Sequence, residues 1–195
     1  MKKLLLILSL FIAGVCGAET IPSVPTKYFT DNSGLIAAPD AARFNERLAA
    51  LEKQTTIQFV VYVSKFDTDS SIEDYCNRIA KEWKVGQKDK DNGIILFWFP
   101  DKKKLRFEIG YRMESYIPDV LDKRILDNQI IPEFKKKNYV AGLDAGINKV
   151  IETLNKEPAQ VEQENAKLKE NKFNGWKICA PNQLENSIQL LLNPN

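Results

Sequence analysis

Hydrophobic and polar positions follow strand-like spacing in the middle of the chain. β-Branched and aromatic residues fill two short runs, 56–63 and 93–99, and these runs predict two buried strands. In 105–109, Leu, Phe and Ile alternate with Arg and Glu, which predicts a third strand with one face more exposed to solvent. The short turn at 100–103 makes the third strand an antiparallel partner of the second. The first and second strands should run parallel through a right-handed crossover.

Helical spacing surrounds these strands. Pro39 at a first helical position begins one helix, and Ser70 begins a capping-box pattern that starts another. The residues of 114–155 keep helical spacing, and Pro118 and Pro132 divide that region. The pattern therefore predicts an α/β domain with helices on both faces of a small sheet, preceded by an extended segment at 19–33.

The ends of the chain differ from this middle part. Lys2 and Lys3 precede an apolar run at 4–15 and small residues at 16–18, the layout of a cleaved signal peptide rather than a lipoprotein anchored at Cys16. The predicted division is 1–18 signal peptide, 19–155 α/β domain and 156–195 charged linker with a short amphipathic tail. Residues 156–172 form either a solvated helix or a linker. We expect a periplasmic or secreted protein without a transmembrane anchor after cleavage.

The composition of the chain excludes several classes of active site and partner. The 195 residues carry a formal charge of +2 and contain no histidine, which excludes catalytic triads with His and zinc sites built on His. The charge is too small to indicate a nucleic-acid partner. Cys76 and Cys179 could pair after export, but Cys76 lies in an apolar helical stripe, which favours a buried, inert thiol.

Strand direction predicts one polar cluster. The start of the second strand and the end of the antiparallel third strand should meet at one sheet edge. Oxygen-bearing side chains lie at both places, and carboxylates with an amide suit a hard cation, Ca²⁺ or Mg²⁺. The alternative is a turn before the strand and a helix cap after Pro118. The residues of this cluster are Asp89, Asp91, Asn92, Tyr111, Glu114 and Asp119.

Two other features have weaker functional interpretations. Asp67 and Asp69 resemble the D-x-D loop of aspartate-dependent phosphatases, but a solvated loop before a helix explains them better. The lysine runs at 102–104 and 135–137 could attract phosphate, although such runs are usually solvated faces.

A series of short motifs resembles the TPM domain family over about 28–152. Each motif is weak alone, but they follow one another in family order. They are YFTDNSGLI at 28–36, SIEDY at 71–75, Trp83, GQK at 86–88, DNGI at 91–94, Gly110 and Tyr111 with Glu114, Pro118 and Asp119, Ile131 and Pro132, and YVAG at 139–142.

The resemblance implies a three-layer α/β/α sandwich with a small mixed sheet, placed in a bacterial envelope or thylakoid lumen. It also implies calcium binding or weak acid phosphatase activity, and a link to membrane-protein complexes. The family's acidic positions fall on Asp31, Asp91, Glu114 and Asp119. Arg112 stands where the family often has glycine, so a loop that needs a positive φ would be strained.

Two functions remain open at this point. The first is a non-catalytic binding or assembly module that holds a divalent cation through Asp31, Asp91, Asn92, Glu114 and Asp119. The second is a weak metal-dependent phosphatase acting on a phosphorylated small molecule, in which the cation would polarise a phosphate oxygen.

Overall fold

The computed structural model describes residues 21–87, 90–156 and 158–178 of the chain. Four strands form one mixed sheet in the order β1-β2-β3-β4. The first three strands are parallel, and β4 pairs antiparallel with β3, as the sequence predicts. The strands are β1 (Phe29–Asp31), β2 (Gln58–Val63), β3 (Gly93–Phe99) and β4 (Lys104–Ile109).

Six α-helices accompany the sheet among the described residues. A 3-10 turn at Tyr111–Met113 follows β4, and a π-helical turn at Leu126–Ile130 precedes Pro132. Pro132 has no backbone N–H to donate, which explains why the regular helical pattern changes there. The helices are α1 (Ala38–Thr55), α2 (Ile72–Trp83), α3 (Asp119–Ile125), α4 (Ile131–Lys135), α5 (Tyr139–Leu154) and α6 (Pro158–Ile178).

The helices cover both faces of the sheet, so the predicted three-layer α/β/α sandwich is confirmed. Side chains of β2 and β3 alternate between two hydrophobic clusters because successive residues of a strand point to opposite faces. One cluster packs against α1, α3 and α5, and the other packs against α2. All seven residues of β3 are buried, as expected of a central strand with helices on both sides.

Strand β1 is absent from the sequence-based prediction, which placed an extended segment at 19–33. The strand has only three residues, and Phe29 alone is buried, so it carries no recognisable alternation. It pairs parallel with β2, and Asp31 lies opposite Val63. This pairing fixes Asp31 at the carboxyl edge of the parallel strands.

Helix α2 begins one residue later than the predicted capping box. The Ser71 side chain, rather than that of Ser70, accepts the backbone N–H of Asp74 over 3.1 Å. Cys76 is completely buried in this helix, and burial raises the pKa of its thiol to about 12. The buried thiol agrees with the favoured interpretation of Cys76, whereas Cys179 lies outside the described residues.

The charged segment after the domain is helical over Pro158–Ile178. Val161 is buried, and the Asn165 Nδ2 atom donates to the backbone carbonyl of Ser115 over 3.0 Å, so the first turns of α6 dock beside the 3-10 turn. The predicted signal peptide and the amphipathic tail lie outside the described residues. Within the described part, no helix is both long enough and apolar enough to cross a membrane.

Candidate functional site

Two loops meet at the amino edge of the parallel strands. The backbone N–H of Gly110, just after β4, donates to the carbonyl of Gly93 over 2.8 Å. The N–H of Arg112 then donates to the carbonyl of Asp91 over 3.3 Å. The segments before β3 and after β4 are therefore joined by backbone hydrogen bonds, at the place where strand direction predicts their convergence.

Glycine is required where these loops touch. A Cβ atom at Gly110 would overlap the backbone carbonyl of Asp91, and a Cβ atom at Gly93 would overlap the carbonyl of Val85. Both glycines thus permit a backbone approach that no other residue allows. Asp91, which lies between them in space, has a positive φ of 45°.

The joined loops border an open cavity of about 680 Å³, which we call the loop cavity. Its walls come from the α1–β2 connection, the residues before β3 and the 3-10 turn after β4. Lysine, arginine, glutamate and tyrosine side chains share it with apolar ones. The lining residues are Thr55, Thr56, Ile57, Lys90, Asn92, Tyr111, Arg112, Met113, Glu114, Ser115 and Tyr116.

Asn92 holds the wall of the loop cavity together. Its side chain is 5% exposed; Oδ1 accepts the Gln87 N–H over 2.7 Å, and Nδ2 donates to the Thr56 carbonyl over 2.7 Å. These bonds connect the loop before β3 to the end of α1. Because the amide oxygen and the amide nitrogen of Asn92 both form these hydrogen bonds, the buried side chain links the two segments in the described structure.

The three predicted carboxylates near this edge face different surroundings. Glu114 lines the loop cavity and also a cleft beneath α6. Asp91 lines a separate cavity on the α2 side, with Lys81, Lys84 and Glu108 among its other lining residues. Asp119 borders a third surface depression, on α3. Asp89 lies outside the described residues.

Asp31 lies at the opposite edge of the sheet. Asp31 pairs with Val63, and Val63 pairs with Trp98 of β3. Trp98 is five residues beyond Gly93, so Asp31 lies roughly 17 Å from the level of Gly93 along the strand direction. Its Oδ1 accepts the Ser33 and Gly34 N–H groups and the Ser33 hydroxyl, and its Oδ2 accepts the Ile36 N–H over 2.8 Å. The carboxylate of Asp31 thus closes the β1–α1 loop.

Of the five predicted ligands, Asp31 lies at the opposite edge of the sheet from Asp91 and Asn92, which immediately precede β3. Within the described ranges, no three Asp, Glu or Cys side chains lie together in an arrangement that could hold a metal ion. Lys90 and Arg112 also place positive charge in the loop cavity beside Glu114. The divalent-cation site stays a prediction that rests on the resemblance and on spacing.

Arg112 does not strain the loop. It lies inside the 3-10 turn with helical backbone geometry, and it is not among the described residues that have a positive φ. The glycine often found in the family is therefore not required here for backbone reasons. Arg112 is exposed beside Tyr111, whose side chain is 77% exposed.

Lys90 and Tyr116 line the same cavity, although no sequence pattern predicted a role for them. In the sequence they are marked only by lying next to the motifs.

Asp122 has a perturbed pKa. Burial, and then the charge of Asp119, raise the pKa of the Asp122 carboxyl to about 6. Asp122 lies on α3, outside the loop cavity.

Comparison with known families identifies the class of protein. A family model of the TPM domain matches residues 29–153, which is more than half of the chain. The chain therefore belongs to the TPM domain family. No match was found among curated proteins.

Solved structures agree with this assignment. The N-terminal domain of a P. gingivalis protein is 34% identical, with a TM-score of 0.61 over 66% of this chain and 82% of that one. BA42 from Bizionia argentinensis is 18% identical, with a TM-score of 0.55 over 64% and 84%. The N-terminal domain of cg2496 from Corynebacterium glutamicum is 14% identical, with a TM-score of 0.53 over 72% and 88%. The latter two likenesses concern the fold alone.

Proposed function

We propose that this TPM domain is an exported, non-catalytic binding module and that it holds a segment of a partner protein in the loop cavity. The observation that carries the proposal is the presentation of Tyr111 and Arg112. Both side chains project from a 3-10 turn whose backbone is tied to Gly93 and Asp91. Tyrosine and arginine on a rigid support are the residue types that dominate binding energy at protein interfaces.

The charges of the loop cavity favour a partner segment that is acidic and partly apolar. Lys90 and Arg112 offer cationic groups, while Ile57 and Met113 offer apolar wall. A segment that places a carboxylate next to an apolar side chain would complement both. A subunit of a membrane-protein complex, which the resemblance implies as a partner, would need to present such a segment outside the membrane.

Calcium is not part of this proposal. Asp91 and Glu114 line different cavities, and the Asn92 oxygen already accepts a backbone N–H. A hard cation needs six to eight oxygen ligands around one point. No step of the proposed function therefore depends on a metal ion.

A displayed library of random twelve-residue peptides tests the proposal. The library is selected against the wild-type chain and counter-selected against a Tyr111→Ala, Arg112→Glu double variant. We expect the selected peptides to carry Asp or Glu beside an apolar residue, and to bind the double variant at least tenfold more weakly. Peptides that bind the double variant equally well, or a selection with no acidic preference, would contradict the proposal.

Weak phosphatase activity is the second candidate, because Lys90, Arg112 and Glu114 share one cavity. The two cationic side chains could bind a phosphate monoester, a water molecule could attack the phosphorus, and Glu114 could donate a proton to the oxygen of the leaving alcohol. Hydrolysis of an aryl phosphate by wild type and by Glu114→Ala decides between the two functions. Turnover that requires Glu114 supports the phosphatase, whereas equal background rates in both proteins favour the binding module.

A further inference from the structure

The two lysine runs meet at the edge of the sheet opposite the loop cavity. Lys104 begins β4 and pairs with Phe99 at the end of β3. The Trp98 ring lies 4.5 Å from the Phe134 ring and 5.0 Å from the Tyr139 ring, measured between centroids. Phe134 directly precedes the second run, and Tyr139 follows it after Asn138. This packing brings 102–104 and 135–137 to one end of the molecule, and we call these six residues the lysine edge.

The lysine edge is exposed and strongly cationic. All six side chains are exposed, and only Asp101 and Glu133 interrupt the two segments with negative charge. Asp101 accepts the Phe66 N–H over 3.1 Å, and Glu133 forms an ion pair of 2.7 Å with Lys136. Within 101–104 and 133–137, six positive charges stand against two negative ones; Asp31, Asp67 and Asp69 also lie at this end of the sheet, so the positive excess is confined to the two lysine segments.

Two of the six lysines have a left-handed backbone conformation. Lys103 has a φ of 53°, and Lys137 has a φ of 63°. Glycine adopts this left-handed conformation at lower cost, by about 1–2 kcal/mol. Each turn thus places a lysine side chain at a position where backbone energy alone would favour glycine.

The chemistry of the edge suits a surface that carries many phosphates. Arginine is the residue that binds one phosphate through two parallel hydrogen bonds, whereas lysine acts as a point charge. Clusters of four to eight basic residues attract anionic lipid, with about 1 kcal/mol per residue near the surface. Leu35, which is 44% exposed, lies in the β1–α1 loop at the same edge of the sheet.

We propose that the lysine edge docks the protein onto an anionic phospholipid surface. The contact is electrostatic, and Leu35 adds an exposed apolar side chain at the same end of the sheet, on the side of β1. Docking through this edge leaves the loop cavity at the far end, about 20 Å away along β3, open to a partner. The inference does not depend on what the loop cavity binds.

Vesicle binding tests the inference with the chain from residue 19 onward. The removed residues contain none of the described core, and their apolar run would bind lipid by itself. Vesicles of equal parts phosphatidylglycerol and phosphatidylcholine are compared with pure phosphatidylcholine vesicles in a sedimentation assay. The edge variant and a control variant, each with four Lys→Gln substitutions at exposed positions, have the same net charge. The edge variant changes Lys102, Lys104, Lys135 and Lys137, and the control changes Lys27, Lys53, Lys81 and Lys84.

We expect the edge variant to lose at least roughly tenfold in binding to anionic vesicles, and the control to lose less than about threefold. Wild-type binding should fall as salt rises and should be weak on neutral vesicles. This salt dependence needs no variant and remains informative should a variant fold poorly. Equal losses in both variants, equal binding to neutral vesicles, or no vesicle binding would overturn the proposal. Displacement by millimolar glycerol phosphate, or tighter binding to DNA than to vesicles, would do so as well.

Discussion

The backbone N–H of Arg112 donates to the backbone carbonyl of Asp91, and this bond joins the loop after β4 to the loop before β3. The two loops are thus joined by main-chain hydrogen bonds. Asp91 and Glu114 line different cavities. The same bond fixes the 3-10 turn that presents Tyr111.

Gly110→Ala should be more destabilising than an exposed glycine substitution elsewhere. The new Cβ atom would overlap the Asp91 carbonyl, so the two loops must separate. We expect a loss of about 2–4 kcal/mol in unfolding free energy, measured by urea denaturation.

Gly34→Ala is the matched control. Gly34 has a positive φ of 70° but open space around it, so only backbone strain of about 1 kcal/mol is expected. Equal effects of the two substitutions would show that the close approach at Gly110 contributes nothing to stability.

Asp31→Ala should lower stability whether or not calcium is present. The Asp31 carboxylate accepts three backbone N–H groups and a hydroxyl, and its removal leaves these donors without an acceptor. The expected cost is about 2–3 kcal/mol. Melting curves of wild type and variant, each with and without millimolar calcium chloride, provide the measurement.

The control for Asp31 is Asp69→Ala, in an exposed loop, which should change stability by less than about 0.5 kcal/mol. Calcium should leave the difference in melting temperature between wild type and Asp31→Ala unchanged. A ligand that binds only the folded state raises its melting temperature, so a calcium-dependent rise that Asp31→Ala abolishes would restore Asp31 as a metal ligand.

Asp122→Asn should stabilise the protein at neutral pH. The pKa of Asp122 is raised to about 6, mainly by burial, so the folded state binds this proton more tightly than the unfolded state does. The contribution of Asp122 to stability therefore falls as pH rises from about 4 to about 6, and asparagine removes that penalty. We expect a gain of about 1–2 kcal/mol at pH 7.5.

The gain should disappear near pH 4, where Asp122 is protonated in the folded state. Unfolding free energies at both pH values measure it, and Asp67→Asn in an exposed loop serves as the control. A gain of the same size at pH 4 would assign the effect to packing or helix propensity instead of ionisation.

Much of the fold could be predicted because it follows from long periodic segments. The runs that became β2 and β3, the short turn before β4, and Pro39 at the start of α1 each specify a local structure. Strand β1 could not be predicted, because three residues with one buried side chain carry no period. Without β1, the position of Asp31 was undefined.

The candidate site was predictable only to the level of its backbone. Strand direction places the loops of Asp91 and Glu114 together, but it does not determine which way a side chain leaves a tight loop. Asp91 has a positive φ and lines the cavity on the α2 side, and Glu114 lies after the 3-10 turn. The meeting of the lysine runs depends on Trp98 packing against Phe134, a contact that no local pattern specifies.

Backbone amide chemical shifts of the labelled chain test the central claim most directly, with a peptide from the display selection as the ligand. Binding in the loop cavity predicts that the largest shifts occur at 90–93 and 110–116, and that Arg112→Glu removes them while leaving the rest of the spectrum intact. Shifts concentrated at the lysine edge or on α6, or unchanged binding by the Arg112→Glu variant, would contradict the proposal that the loop cavity is the binding site.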